Sequence, residues 1–102
     1  MNFNFAVAQE DLQEHLARIC RRYGVKSLRA FGSVARGKAT ERSDIDLLVE
    51  FNQPVGFFAL IRLEKELGQL FGRKVDLVTE RALSPYLRSS ILSMAQRLYE
   101  ST

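Results

Sequence analysis

One stretch decides the fold: Gly32-Ser-Val-Ala-Arg-Gly-Lys-Ala-Thr-Glu-Arg-Ser-Asp-Ile-Asp46. It begins where a short apolar run ends, so Gly32 and Ser33 are predicted to turn the chain from a strand into a short helix. A glycine lets the backbone approach a ligand closely, a serine hydroxyl can donate to an anionic oxygen, and the free N–H groups that open a helix favour negative charge. The turn is therefore predicted to bind a phosphate chain.

The end of the same stretch predicts a pair of carboxylates on one face of a strand. Asp44 and Asp46 precede and enter the aliphatic run Ile-Asp-Leu-Leu-Val-Glu-Phe at 45–51. Side chains two apart on a strand point the same way and lie roughly 6.6 Å apart. Two such acids repel each other unless a cation joins them, and oxygen ligands suit Mg²⁺ or Mn²⁺. A bare Asp-x-Asp would more simply be a turn cap and a solvated strand edge, but its combination with Gly-Ser and arginines favours a metal site.

This combination resembles the signature of the DNA polymerase beta nucleotidyltransferase superfamily, and its short Ala-Arg-Gly form is most similar to the minimal nucleotidyltransferase (MNT) family. The residues that carry the resemblance are Gly32, Ser33, Arg36, Gly37, Ser43, Asp44 and Asp46. The resemblance implies an α/β (α+β) polymerase-beta-like nucleotidyltransferase fold, a small mixed sheet flanked by helices. It also implies that nucleotide binding falls to Gly32, Ser33, Arg36 and Ser43.

Periodicity places helices and strands around this signature. Helices are expected at 8–23, at 56–71 and from Ser84 onward, with the apolar stripe of the last one reaching Leu98 and Tyr99. Strands are expected at 25–31, 45–51 and 74–79. The adjacent Phe57 and Phe58 cannot both point inward, so one is expected to be exposed as a contact or to pack loosely in the core.

A third acid, Asp76, lies inside the apolar alternation of the third strand. A carboxylate among Val75, Leu77 and Val78 needs a partner. The resemblance implies that it faces the first pair, so that Asp44, Asp46 and Asp76 together are the catalytic residues and the metal ligands. An acid on the surface of an edge strand is the alternative.

Composition limits the possibilities further. The chain has 102 residues, 46% of them hydrophobic, which suits one domain over 1–102. The net charge of +3 favours an anionic ligand only mildly. The single cysteine, Cys20, excludes an intrachain disulfide and follows a helical apolar stripe, so it is expected to be a packing residue. No membrane span or signal peptide is indicated, and a cytoplasmic location is expected.

The resemblance also implies a reaction and a partner. An MNT protein is expected to use ATP and two Mg²⁺ ions (Mn²⁺ as a substitute) to transfer AMP to a tyrosine of a HEPN-domain toxin, and so to act as an antitoxin. Membrane and direct nucleic-acid partners are not expected. Two alternatives stay open: an antitoxin that neutralises by binding alone, and a nucleotidyltransferase for a small-molecule or RNA acceptor with a separate binding subunit.

Overall fold

The chain is described here by a computed structural model over residues 9–32 and 44–101, which contain three α-helices and four β-strands. In chain order these are α1 (Gln9–Tyr23), β1 (Val25–Phe31), β2 (Ile45–Phe51), α2 (Phe57–Phe71), β3 (Val75–Thr79), α3 (Pro85–Met94) and β4 (Gln96–Glu100). A single 3-10 turn, Glu80–Ala82, links β3 to α3. The predicted positions of the first two helices and the first three strands are confirmed.

The four strands form one mixed sheet in the order β3-β2-β1-β4. The central strands β1 and β2 run antiparallel, and β4 is antiparallel to β1. β3 runs parallel to β2, and the helix α2 supplies the crossover connection that parallel neighbours require. The mixed sheet predicted from the resemblance is therefore confirmed.

Both long helices cover one face of the sheet. Alternation along the strands sends one set of apolar side chains toward them and the other set away. The buried core is built from Leu16, Cys20, Val25, Leu28, Ala30, Ile45, Leu47, Val49, Leu63, Leu67, Val75 and Leu77. Residues at even positions of β2 and β3, among them Asp46 and Asp76, therefore lie on the face away from α1 and α2.

The start of β3 is fixed by the way α2 ends. Gly72 adopts a left-handed conformation, with a φ of 67°, and its N–H donates to the carbonyl of Gly68. The N–H of Arg73 donates to the same carbonyl at 3.1 Å. Farther along, the backbone N–H of Leu77 donates to Oε2 of Glu64 at 2.9 Å, which ties the outer edge of β3 to α2.

The prediction for the last helix is wrong over its C-terminal end, from Ala95 onward. Ser84 caps the helix as expected, accepting from the N–H of Leu87 at 3.3 Å, but α3 ends at Met94. Ala95 turns the chain at φ −71° and ψ 141°, and Leu98 and Tyr99 lie on β4. The free edge of β1 offers backbone hydrogen bonds that an extended segment can satisfy, and this outweighs the helical spacing of the apolar residues.

Two further expectations concern single side chains. Cys20 is fully buried, and burial raises the pKa of its thiol to about 12, so the expected packing role is confirmed. Phe57 and Phe58 are both exposed, at 70% and 74%, with ring centroids 6.2 Å apart, rather than one of them alone. Within the described ranges, no helix has the length and apolar character needed to cross a bilayer.

Candidate active site

The pairing of β2 with β3 brings the predicted carboxylates together. Asp46 is the register partner of Asp76, and Ile45 is the partner of Val75. Paired residues on neighbouring strands point to the same face, and the strands are about 4.8 Å apart. Asp44 lies two residues before Asp46, directly before β2 begins. The three acids predicted from the sequence therefore meet at one corner of the sheet, on the face away from α1 and α2.

The pKa of Asp46 reflects the proximity of the three acids. Its pKa is raised above the ordinary value of 3.8, first by partial burial and then by the negative charges of Asp76 and Asp44. All three influences disfavour the ionised carboxylate, which a positive charge at this corner would stabilise. Asp46 thus receives repulsion from both of the other acids, Asp76 and Asp44.

Gly32 contributes space to the same corner. Its φ is +69°, and a Cβ built on it would lie 3.3 Å from Cγ of Asp46 and inside the contact radius of the Oδ2 atom. The register explains the approach, because Phe31 is the partner of Asp46 and Gly32 follows it. The sequence predicts close approach of Gly32 to a ligand, whereas here the close neighbour of Gly32 is the Asp46 carboxylate.

Lys74 is a member of the site that the sequence reasoning missed. Its Nζ lies 3.9 Å from Oδ2 of Asp44. The carbonyl of Lys74 accepts a hydrogen bond from the N–H of Ile45 at 2.9 Å, which fixes its backbone beside Asp44. The available signal was spacing, because Lys74 precedes Asp76 by two residues as Asp44 precedes Asp46.

Several predicted nucleotide-binding residues lie outside the described part of the chain. They are Ser33, Arg36 and Ser43. Of the predicted nucleotide-binding set, Gly32 alone falls within it. The roles of the others stay predictions.

The carboxylate oxygens of Asp44, Asp46 and Asp76 are chemically suitable ligands for a hard divalent cation. Three carboxylates from one strand start and its neighbour supply only oxygen, which Mg²⁺ and Mn²⁺ prefer. Over residues 9–32 and 44–101, no group of three His, Cys, Asp or Glu side chains forms a ready-made metal site. One of the carboxylates, Asp44, is paired with Lys74 instead. Cation binding would therefore require the side chains at this corner to rearrange.

A stability measurement can test the raised pKa of Asp46. The ionised carboxylate destabilises the metal-free fold above its folded pKa, and this cost is absent below the unfolded value of 3.8. Asp46→Asn should therefore melt at a higher temperature than the parent chain at pH 7, with an advantage that shrinks as the pH falls through the raised pKa. Thermal melts from pH 7 to 3.5 in EDTA check this. Asp11→Asn, on an exposed part of α1, is the control. If both variants melted higher than the parent chain by the same amount at every pH, the prediction for Asp46 would be contradicted.

Comparison with known proteins identifies the family of the chain. The family model for the nucleotidyltransferase domain matches residues 12–98. A provisionally named protein adenylyltransferase of Methanocaldococcus jannaschii is 42% identical over 84 residues, which are 81% of this chain and 86% of that protein. Protein adenylyltransferase MntA of Thermococcus cleftensis is 37% identical over 81 residues, 79% of this chain and 82% of that protein.

Solved structures agree with the sequence comparison. A provisionally named minimal nucleotidyltransferase superposes with a TM-score of 0.75 at 40% identity, over 93% of this chain and 94% of that one. A complex of tri-AMPylated Shewanella oneidensis HEPN toxin with MNT antitoxin gives a TM-score of 0.65 at 21% identity, over 91% and 73% of the two chains, and shows likeness of fold alone. The carboxylate corner, the family match and the close relatives agree: the chain belongs to the nucleotidyltransferase domain family, as a minimal nucleotidyltransferase.

Proposed function

We propose that this minimal nucleotidyltransferase transfers AMP from ATP to a hydroxyl group, a tyrosine in the first instance, of a HEPN-type toxin, and that it thereby acts as an antitoxin with Mg²⁺ as cofactor. The observation that carries the proposal is the register pairing of Asp46 with Asp76, with Asp44 beside them. The names of the relatives, protein adenylyltransferases, support AMP as the transferred group. The HEPN toxin in the complex of similar fold supports the class of partner.

The reaction joins the acceptor oxygen to the α-phosphorus of ATP and breaks the bond from that phosphorus to the bridging oxygen of pyrophosphate. The acceptor hydroxyl loses its proton, for which the carboxylate of Asp76 is the proposed first acceptor. Asp44 and Asp46 would hold Mg²⁺ with Asp76. When bound, that ion supplies positive charge that orients the triphosphate and stabilises charge on the reacting oxygens. Gly32 leaves the Asp46 carboxylate the room that this position needs.

A protein acceptor is supported by an apolar surface at the other end of the sheet. Val55, Phe57, Phe58 and Ile61, the aromatic patch, are all exposed around the start of α2. Asp46 lies near the start of β2 and the patch follows its end, so about 16 Å of strand separates them. Large exposed aromatic groups of this kind mark interaction sites. A protein acceptor is large enough to contact the patch while one of its hydroxyl groups reaches the acids.

The direct test is transfer of label. The purified chain is incubated with MgCl₂, α-phosphate-labelled ATP and the proteins that co-purify with it from its host, in parallel with the Asp44→Asn/Asp46→Asn variant. Label on a protein partner, absent with the variant, is the expected result, and mass spectrometry of the labelled band then identifies the protein and the modified residue. Label on RNA or a small molecule, with none on protein, would contradict a protein acceptor.

A binding-only antitoxin predicts a different outcome of the same experiment. The partner would form a stable complex with the chain and lose its toxicity without gaining label. The double variant would then neutralise the partner as well as the parent chain does. Loss of neutralisation in the variant, with the complex retained, supports transfer as the mechanism.

The aromatic patch gives a separate prediction. Phe57→Ser with Phe58→Ser should weaken the complex with the protein acceptor by about tenfold or more, because exposed aromatic side chains dominate many interfaces. The stability of the free chain should change by less than about 1 kcal/mol, since both rings are largely exposed already. Titration calorimetry with the partner and a thermal melt measure the two effects. Tyr86→Ser changes an exposed residue on α3 and tests whether that helix is the contact surface instead. Unchanged affinity in the Phe57/Phe58 variant would exclude the aromatic patch as a contact.

A further inference from the structure

The side chain of Lys74 lies where a metal ion would have to compete with it. Its Nζ is 3.9 Å from Oδ2 of Asp44, and both side chains are well exposed, at 73% and 46%. An ion pair with this exposure adds little to folding stability, because water screens it and both side chains lose freedom. The position of Lys74 near the Asp46 and Asp76 carboxylates as well is therefore not explained by folding stability.

The backbone of β2 and β3 fixes the position of Lys74 beside Asp44. Ile45 pairs with Val75 and Asp46 with Asp76, so Asp44 and Lys74 are the next pair toward the start of the two strands. The hydrogen bond from Ile45 N–H to the Lys74 carbonyl, at 2.9 Å, extends the ladder to that point. The left-handed Gly72 ends α2 directly before this point, so Lys74 reaches the corner by a short turn.

The charges at this corner indicate a role for the Lys74 side chain. Among the described residues, this corner carries three carboxylates and the ammonium group of Lys74, and Asp46 receives repulsion from Asp44 and Asp76. The contact at 3.9 Å joins the Lys74 ammonium to Asp44. A divalent cation held by Asp44 and Asp46 would repel the ammonium, and a long exposed lysine is free to turn toward nearby phosphate oxygens, which accept strong charge-assisted hydrogen bonds.

We propose that Lys74 is a positioning residue that acts through Asp44: its ammonium holds the Asp44 carboxylate before a divalent cation binds and moves to a phosphate oxygen of the nucleotide once the cation is present. The inference rests on the proposed nucleotidyl transfer for the identity of the nucleotide. It requires no assumption about the acceptor.

The test measures binding rather than turnover. Mn²⁺ is titrated alone, followed by electron paramagnetic resonance, into the parent chain, Lys74→Met and Lys74→Arg. Lys74→Met should bind Mn²⁺ about two- to fivefold more tightly, the range expected when an exposed ion pair is lost. It should bind an ATP analogue with a methylene group between the α and β phosphorus atoms, in the presence of Mg²⁺, about tenfold more weakly. Lys74→Arg keeps the charge and should stay within about twofold of the parent chain in both titrations.

Lys26→Met is the matched control. Lys26 forms a comparable exposed pair with Glu50, at 3.3 Å, and Glu50 lies at the other end of β2 from Asp44. That separation, about 20 Å of strand, exceeds the screening length of about 8 Å at physiological salt. Equal Mn²⁺ affinity in Lys74→Met and the parent chain would overturn the proposal, as would an equal change in Lys26→Met or an absence of Mn²⁺ binding in every variant. Failure of protein labelling would leave these titrations unaffected, so the two proposals fail separately.

Discussion

Replacement of Asp44 and Asp46 together by asparagine is expected to lower nucleotidyl transfer by about a thousandfold or more. An asparagine keeps the shape of aspartate but offers one neutral oxygen and an N–H₂ donor in place of two anionic oxygens. The corner then loses two of its three negative charges, and groups that act as a unit in catalysis fail together when one part is removed. Initial rates with labelled ATP and a saturating acceptor measure the effect.

The fold should survive this double replacement. The repulsion that raises the pKa of Asp46 is relieved, whereas the exposed pair of Asp44 with Lys74 contributes at most about 1 kcal/mol. The metal-free variant should therefore melt within a few degrees of the parent chain. Glu50→Gln is the control, because Glu50 lies on the same face of β2 at its far end; it should keep transfer within about threefold. Transfer by the double variant above a tenth of the parent rate would refute the assignment.

Replacement of Gly32 by alanine is expected to cost both stability and activity, and the two costs have separate causes. A residue with a Cβ at φ +69° loses about 1–2 kcal/mol of folding free energy. The new methyl group would also overlap Oδ2 of Asp46 and lie 3.3 Å from Cγ, so the carboxylate must turn away. Because reacting groups displaced by about 1 Å lose rate steeply, transfer should fall about a hundredfold.

Gly24 offers a matched control for this change. Its φ is +70°, but a Cβ built there meets nothing within 4 Å. Gly24→Ala should therefore lose the same 1–2 kcal/mol or so and keep transfer within about twofold. Urea denaturation and initial rates, measured on both variants, separate the effects. If the two variants transferred AMP equally well, the space at Gly32 would not matter to Asp46.

Much of the sheet was predictable because each early element has a local signal that agrees with its neighbours. The strand at 45–51 is mostly apolar, the helix at 57–71 ends at a glycine, and a strand that follows such a crossover helix is expected to run parallel to the first. The position of Asp76 beside Asp46 follows from that unit together with the family resemblance. The order of the strands was not predictable from these signals, because periodicity carries no information on which strands are neighbours.

The C-terminal segment shows where local signals fail. Residues from Leu87 to Tyr99 carry apolar side chains at helical spacing, yet the last of them form β4 against β1. A five-residue strand with polar ends has little signal of its own, and the decisive partner, β1, is distant in sequence. The same holds for Lys74 and for the steric role of Gly32, which become visible only when the register places them beside Asp44 and Asp46.

The bond between the Glu64 carboxylate and the N–H of Leu77 has a consequence for how other chains can approach. β3 is the outermost strand on its side of the sheet, and open strand edges invite pairing with foreign strands. Here a donor at the middle of that edge is already occupied by a side chain from α2. A visiting protein is thereby discouraged from adding a strand next to Asp76, so an acceptor is expected to approach the acids from the face of the sheet away from α1 and α2, with a side-chain hydroxyl rather than with its backbone.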